Sequence, residues 1–235
     1  MTAAGRVVEY IVDTNFLLCF GGVKNGLPYL KTIFGGGLAA PPAVKAELRS
    51  LSTRLSKPKS VRDAADRFLG TSAGIIMEMR LKSVDLIERD EVLRCFGAGV
   101  TPTPHSGTFP DDLGDDVEEV TSGKDAGEAE AIPLALRTKL PLLCNENAAT
   151  NYARARGVPL VESAAVSVKR LKALSAKQKY RLYLEMRNAV GDVGAFVNGP
   201  QWYREPSPRV VAPGSTAEHP SGEATSSATE EGARS

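Results

Sequence analysis

Histidine and cysteine are nearly absent from this chain. The two histidines, His105 and His219, lie in polar, proline-rich surroundings, which argues against a histidine-built metal site or a catalytic triad. The three cysteines, Cys19, Cys95 and Cys144, are odd in number and lack paired or metal-ligand spacing. They fit a reduced, cytoplasmic compartment, with Cys19 and Cys144 as small buried hydrophobes. No apolar run reaches membrane-spanning length, and MTAAGRVVEY at the N-terminus holds no signal-peptide core. Neither a glycine-rich phosphate loop after the first strand nor a visible nucleophile–base pair is present, which counts against a small-molecule α/β enzyme. An excess of one charge is missing too: 29 Lys and Arg against 28 Asp and Glu leave a formal net charge of +1. The distribution is nevertheless uneven. Residues 45–67 and 154–187 are biased to Lys and Arg, whereas residues 111–130 are strongly acidic, so the neutral total covers a basic surface beside an acidic site.

The chain is organised around VVEYIVDTNFLL, residues 7–18. Val7, Val8, Tyr10, Ile11 and Val12 form a short apolar run rich in β-branched residues, the pattern of a buried strand. It stops on Asp13-Thr14-Asn15, and Phe16, Leu17 and Leu18 begin a helix. Taken alone, Asp13 reads as a helix N-cap. It also sits at the carboxyl end of a strand, where open α/β sheets bind ligands.

Further along, Gly21–Gly26 and residues 35–37 punctuate two short segments. Pro41-Pro42 opens a helix on which Val44, Leu48, Leu51 and Leu55 make one apolar stripe, with Glu47 at its border. Residues 61–69 and 88–96 read as helices, residues 74–86 as strand or helix, and residues 97–114 as an exposed loop running into the acidic stretch 111–119. Asp125–Thr138 is a helix that Pro133 should kink, and Asp125-x-x-Glu128 matches a capping box. Residues 140–144 form the next strand, 148–156 a helix closed by Gly157, 158–161 a third strand, and 163–174 another helix. Ser175 and Gln178 have capping-box spacing at the start of a final helix reaching about Val190. Strands alternating with helices imply an α/β fold with a parallel sheet flanked by helices. Beyond Tyr203 the composition turns to Pro, Ser, Gly, Ala, Thr and Glu without apolar periodicity, so residues 204–235 read as a disordered C-terminal tail.

Asp13 follows the first strand, Glu47 lies on an early helix, Glu128 opens a mid-chain helix, and Asn145-Glu146 follows a later strand. In a parallel sheet these positions share one edge. Carboxylates converging without histidine or cysteine suit a hard cation, Mg²⁺ or Mn²⁺, which activates water for in-line phosphoryl displacement.

Together these segments resemble the PIN domain, a family of metal-dependent nucleases that includes VapC-like toxins. The resemblance rests on Asp13-Thr14-Asn15 at a strand end, Glu47 within VKAEL, the Gly127-Glu128-Ala129-Glu130-Ala131-Ile132 helix, and Asn145-Glu146 before AATNYARARGV. It implies a PIN-like domain over residues 6–203, with a helical and loop insertion at about 56–123. It further implies Asp13, Glu47, Glu128 and Asn145 as catalytic residues, Thr14 and Asn15 as substrate-orienting ones, and Asp13, Glu47, Glu128 and Glu146 as metal ligands. The implied activity is endoribonuclease hydrolysis, as the toxin of a type II toxin–antitoxin pair. RNA is the substrate, a small antitoxin protein and a second copy of the chain are the expected partners, and no membrane is involved. One departure bears on activity: Asn145 stands where the pattern has a metal-binding aspartate, and an amide removes a negative charge. The alternative is therefore a catalytically weakened PIN-like module that binds nucleic acid or a protein partner.

Overall fold

The computed structural model describes residues 7–71, 75–99 and 114–190. The expectations for His105, His219, most of the 97–114 loop and the C-terminal tail lie outside those residues. Among the described residues fifteen elements follow one another. They are β1 (Tyr10–Val12), α1 (Thr14–Gly21), α2 (Gly26–Phe34), β2 (Leu38–Ala40), α3 (Pro42–Thr53), α4 (Lys59–Thr71), β3 (Ile76–Glu78), α5 (Asp85–Ala98), α6 (Ala126–Thr138), β4 (Leu142–Leu143), α7 (Asn147–Ala155), β5 (Val161–Glu162), α8 (Ala164–Ser167), a 3₁₀ turn (Val168–Arg170) and α9 (Ala176–Val190). The strands form one parallel sheet in the order β3-β2-β1-β4-β5. No helix among the described residues is long and apolar enough to cross a membrane.

Alternation along each strand divides the core into two layers. Val12, Leu38, Ala40 and Leu143 point to one face, where Phe16, Phe20, Leu30, Phe34, Leu48, Phe68, Tyr183 and Met186 cover them. Ile11, Ala39 and Leu142 point to the other, against Val92, Cys95, Ile132, Leu134 and Tyr152. Covered on both faces, the strands need unbroken apolar sequence, which is what they have. Each large side chain so buried contributes roughly 1.5–3 kcal/mol. Gly21 permits the close approach of α1 to α4, since a Cβ there would lie 2.6 Å from the Ala64 carbonyl oxygen.

Several boundaries differ from those read in the sequence, each for a local reason. Leu55 lies past the end of α3 and is exposed, so the stripe ends at Leu51. The strand expected at 158–161 pairs later: Pro159 has no N–H to give a ladder, and β5 begins at Val161. The helix expected over 163–174 stops at Ser167 and tightens into the 3₁₀ turn. Residues three apart eclipse in such a turn, which places Val168 and Leu171 together in the core. The 74–86 stretch contains the edge strand β3, and residues 59–98, expected to belong to an insertion, supply that strand and two core helices. The capping box at Ser175–Gln178 is formed: the Ser175 N–H donates to Gln178 Oε1 at 2.8 Å and the Gln178 N–H to Ser175 Oγ at 3.3 Å. Helix α6 runs on through Pro133.

Candidate metal centre

From β1 the chain steps outward to β2 and β3, then crosses back to β4 and β5 on the other side. The winding direction therefore reverses between β1 and β4, and the crevice beyond their carboxyl ends is the ligand-binding position of an open parallel sheet. Asp13 follows β1 there, and Asn145-Glu146 follows β4. The Asp13 N–H donates to the Leu143 carbonyl at 3.1 Å, locking the two strand ends together.

Asp13 caps α1 by accepting the Phe16 N–H on Oδ1 at 2.7 Å. The residue is fully buried, and Oδ2 has no hydrogen-bond partner of ordinary geometry. Its polar neighbour is the Cys144 thiol, a weak donor. Burial pushes the Asp13 carboxyl up to about 7; Glu47 and Glu146 add to the rise, and the Cys144 thiol and Phe16 N–H oppose it. Glu128, almost wholly buried in the first turn of α6, is raised well above the ordinary range by burial and then by Asp13, Glu47 and Glu146. Its Oε1 accepts Asn15 Nδ2 at 3.3 Å. Glu47 is raised by burial against the lowering effect of the Thr14 hydroxyl and the Gly127 N–H. Burial also raises the Cys19 and Cys144 thiols, so both remain protonated and chemically inert at neutral pH.

Around these residues opens a cleft of about 570 Å³. Thr14 and Asn15 of α1, Glu47 and Ser50 of α3, Arg54 just past its end, Lys57, the 121–125 loop, Glu128 and Glu146 line it. Asp125, Glu128 and Glu146 each offer one carboxylate oxygen, and the three oxygens lie within 4.8 Å of one another. Three carboxyl groups this close, with Asp13 buried near them, repel one another when ionised. A divalent cation with oxygen ligands at about 2.0–2.6 Å relieves that repulsion, and the all-oxygen donor set selects a hard ion. The residues fit such a group. No family model, curated protein or solved structure gives a significant match to this chain.

Of the positions read from sequence, Asp13, Thr14, Asn15, Glu47, Glu128 and Glu146 are brought to this edge. Asn145 is not free to act there. It is fully buried, its Oδ1 accepts the Ala164 N–H at 2.8 Å, and its Nδ2 donates to Cys19 Sγ at 3.2 Å. Both ends of the amide tie β4 to α8 and α1. Asp13 does not line the cleft and lies outside the set of three; it acts on that set as a buried charge. Asp125 has the sequence spacing of a cap, yet it makes no capping bond. Its backbone is left-handed, at φ 63°, and its side chain lines the cleft. Nothing in the residue type marks that difference. Glu130, two residues past Glu128 and therefore on another side of α6, accepts the Ala43 N–H at 3.0 Å and the Thr121 N–H at 2.7 Å. It holds the start of α3 and the cleft loop in place.

The basic stretches divide as well. Arg156 is bound to Glu88, and Arg170 lies 3.8 Å from Glu162 and over the Tyr10 ring. Arg67 donates to the Gly21 carbonyl at 2.6 Å. Part of the positive charge expected to contact phosphates thus serves packing, and the cations that line the cleft are Arg54, Lys57 and Lys124.

Proposed function

We propose that this chain is a metal-dependent nuclease of the PIN kind that hydrolyses RNA phosphodiester bonds. One observation carries the reading. At the β1/β4 reversal of a parallel sheet, Asp125, Glu128 and Glu146 present oxygens within 4.8 Å of one another, near a buried Asp13 whose Oδ2 has no hydrogen-bond partner of ordinary geometry. The all-parallel sheet and the place of Asp13 at the end of β1 are consistent with the pattern read from the sequence.

In this reading the carboxylate oxygens of Asp125, Glu128 and Glu146 hold Mg²⁺ or Mn²⁺, and Asp13 adds a buried negative charge behind them. When bound, the cation supplies an activated water and neutralises charge on the phosphoryl group undergoing in-line displacement. Asn15 fixes the rotamer of Glu128 through its 3.3 Å hydrogen bond. Arg54 and Lys57 engage phosphates flanking the scissile one, with counterion release contributing to affinity. The carboxylates alone suit DNA as well as RNA; the preference for RNA rests on the family pattern. So does the role as a toxin held by a small cognate antitoxin.

A labelled single-stranded RNA and the matching DNA, incubated with the full-length protein and Mn²⁺, test the reading. Cleavage that disappears with EDTA and with Glu128→Gln is expected. Absence of both cleavage and Mn²⁺ binding overturns it. The second reading is a weakened module that binds nucleic acid or a protein partner. It is favoured by Asn145, whose amide is engaged by Ala164 and Cys19 and gives the cation no ligand. RNA binding and Mn²⁺ binding without turnover distinguish it.

A further inference from the structure

We infer that Glu47 is a positioning residue, the carboxylate that fixes the first turn of α6 and with it Glu128, and that it is not a ligand of the cation; this rests on the metal site proposed above. A helix begins with four N–H groups that have no partner within it, and a side-chain oxygen from the preceding residue normally takes one of them. Helix α6 lacks that arrangement, because Asp125 makes no capping bond. The missing acceptor comes from α3, 80 residues upstream: Glu47 Oε1 accepts the Gly127 N–H at 3.0 Å. Its second oxygen accepts the Thr14 hydroxyl at the start of α1. One carboxylate therefore ties the openings of α1 and α6 to the middle of α3.

Gly127 is part of the same device. A Cβ at that position would lie 2.7 Å from Glu47 Oε2 and 2.9 Å from Thr14 Oγ1, so only glycine lets the carboxylate sit on the helix end. The residues that carry the cleft chemistry flank this clamp. Asn15 follows Thr14 and holds Glu128, while Glu128 follows Gly127. Glu47 is absent from the three carboxylates whose oxygens converge. To coordinate a cation it would have to release the helix terminus that places Glu128. Because Glu47 supplies the cap, Asp125 is left to line the cleft.

Glutamine discriminates the two roles. Its carbonyl oxygen accepts the Gly127 N–H and its NH₂ donates to the Thr14 hydroxyl oxygen, since a hydroxyl both donates and accepts. It would therefore keep the clamp while losing a ligand charge. Mn²⁺ is titrated calorimetrically into the full-length protein and into Glu47→Gln, Glu47→Ala, Gly127→Ala, Thr14→Val and Glu128→Gln, each checked for folding by thermal melting. Glu47→Gln is expected to weaken Mn²⁺ binding by less than about fivefold, the effect of one nearby charge, and Glu128→Gln by far more. Glu47→Ala and Gly127→Ala are expected to weaken it about 10–100-fold, as for removal of the outer support of a ligand, although Gly127→Ala removes no charge. Should Gly127→Ala fail to fold, Thr14→Val reads the clamp with every carboxylate intact. Glu47→Gln as weak as Glu128→Gln overturns the inference and leaves the metal site standing; so does a folded Gly127→Ala or Thr14→Val that binds like wild type. A wild-type protein that does not bind Mn²⁺ overturns the site and the inference together.

Discussion

Burial of the Asp13 carboxyl should make the protein less stable at neutral pH than in acid, and urea unfolding at several pH values reads this. The carboxyl rises from 3.8 to about 7 in the fold because it is buried among other carboxylates. The folded state therefore binds the proton more tightly than the unfolded chain does. Stability must fall as pH rises wherever the folded state holds more protons. The contribution is fully present below about pH 4, is lost between about pH 4 and 7, and changes no further above that. A little over three pH units at ~1.4 kcal/mol each is roughly 4 kcal/mol for Asp13. Burial raises Glu47, Glu128 and Asp85 in the same direction. Asp63, Asp116 and Glu91 are lowered by cationic neighbours and act with the opposite sign, only as pH falls through the acid range.

Asp13→Asn is the perturbation that isolates this. An asparagine oxygen still accepts the Phe16 N–H, because Asn and Asp cap helices about equally well, while the buried charge disappears. In urea unfolding with EDTA, wild type should lose several kcal/mol between pH 4 and 7. The variant should show a shallower slope and be the more stable protein at pH 8. Mn²⁺ at pH 8 should restore wild type and stabilise the variant less. Metal-free stability that is flat or rising from pH 4 to 7, or an Asp13→Asn variant that is several kcal/mol weaker at pH 8, refutes the reasoning.

Asn145→Asp should destabilise the protein by roughly 3 kcal/mol in urea, since it removes the donor to Cys19 and adds a charge in a fully buried position; Mn²⁺ affinity should not improve. Arg156→Ala should cost about 3–5 kcal/mol by leaving Glu88 buried without its cation, with little change in oligonucleotide binding. Arg54→Ala and Lys57→Ala should do the reverse. Stability should shift by no more than about 0.5 kcal/mol, while affinity for a single-stranded oligonucleotide falls and its salt slope drops by about 1 for each phosphate no longer neutralised.

The alternation of strand and helix was readable because its signals are local. The apolar run before Asp13, the Pro41-Pro42 start of α3 and the Ser175–Gln178 capping box each need only neighbours in sequence, and each forms. What escaped depended on packing. Residues 76–78 make a three-residue strand whose identity comes from β2, to which Ile76, Met77 and Glu78 pair in register. The early end of α8 follows from the need to bury Val168 and Leu171 together, which no periodicity over 163–174 reveals.

The acidic site was legible as a set and illegible as a division of labour. Position along the chain brings Asp13, Glu47, Glu128 and Glu146 to one sheet edge, because strand ends and helix starts in a parallel sheet meet there. Whether a carboxylate at that edge caps, coordinates or simply charges the site depends on which backbone N–H groups and carboxylates come within reach. At Asp125 a positive φ accompanies the loss of the cap that its spacing to Glu128 advertises. The open cap position on α6 is then filled from α3, and the glycine that makes room for it stands between the two. Asn145 illustrates the converse: a polar residue in the position of a ligand, with both ends of its amide engaged by Cys19 and Ala164. A carboxylate's role is thus set by its hydrogen-bond partners. Exchanging Glu47 for glutamine, which preserves those partners and removes the charge, separates the two contributions more cleanly than any truncation.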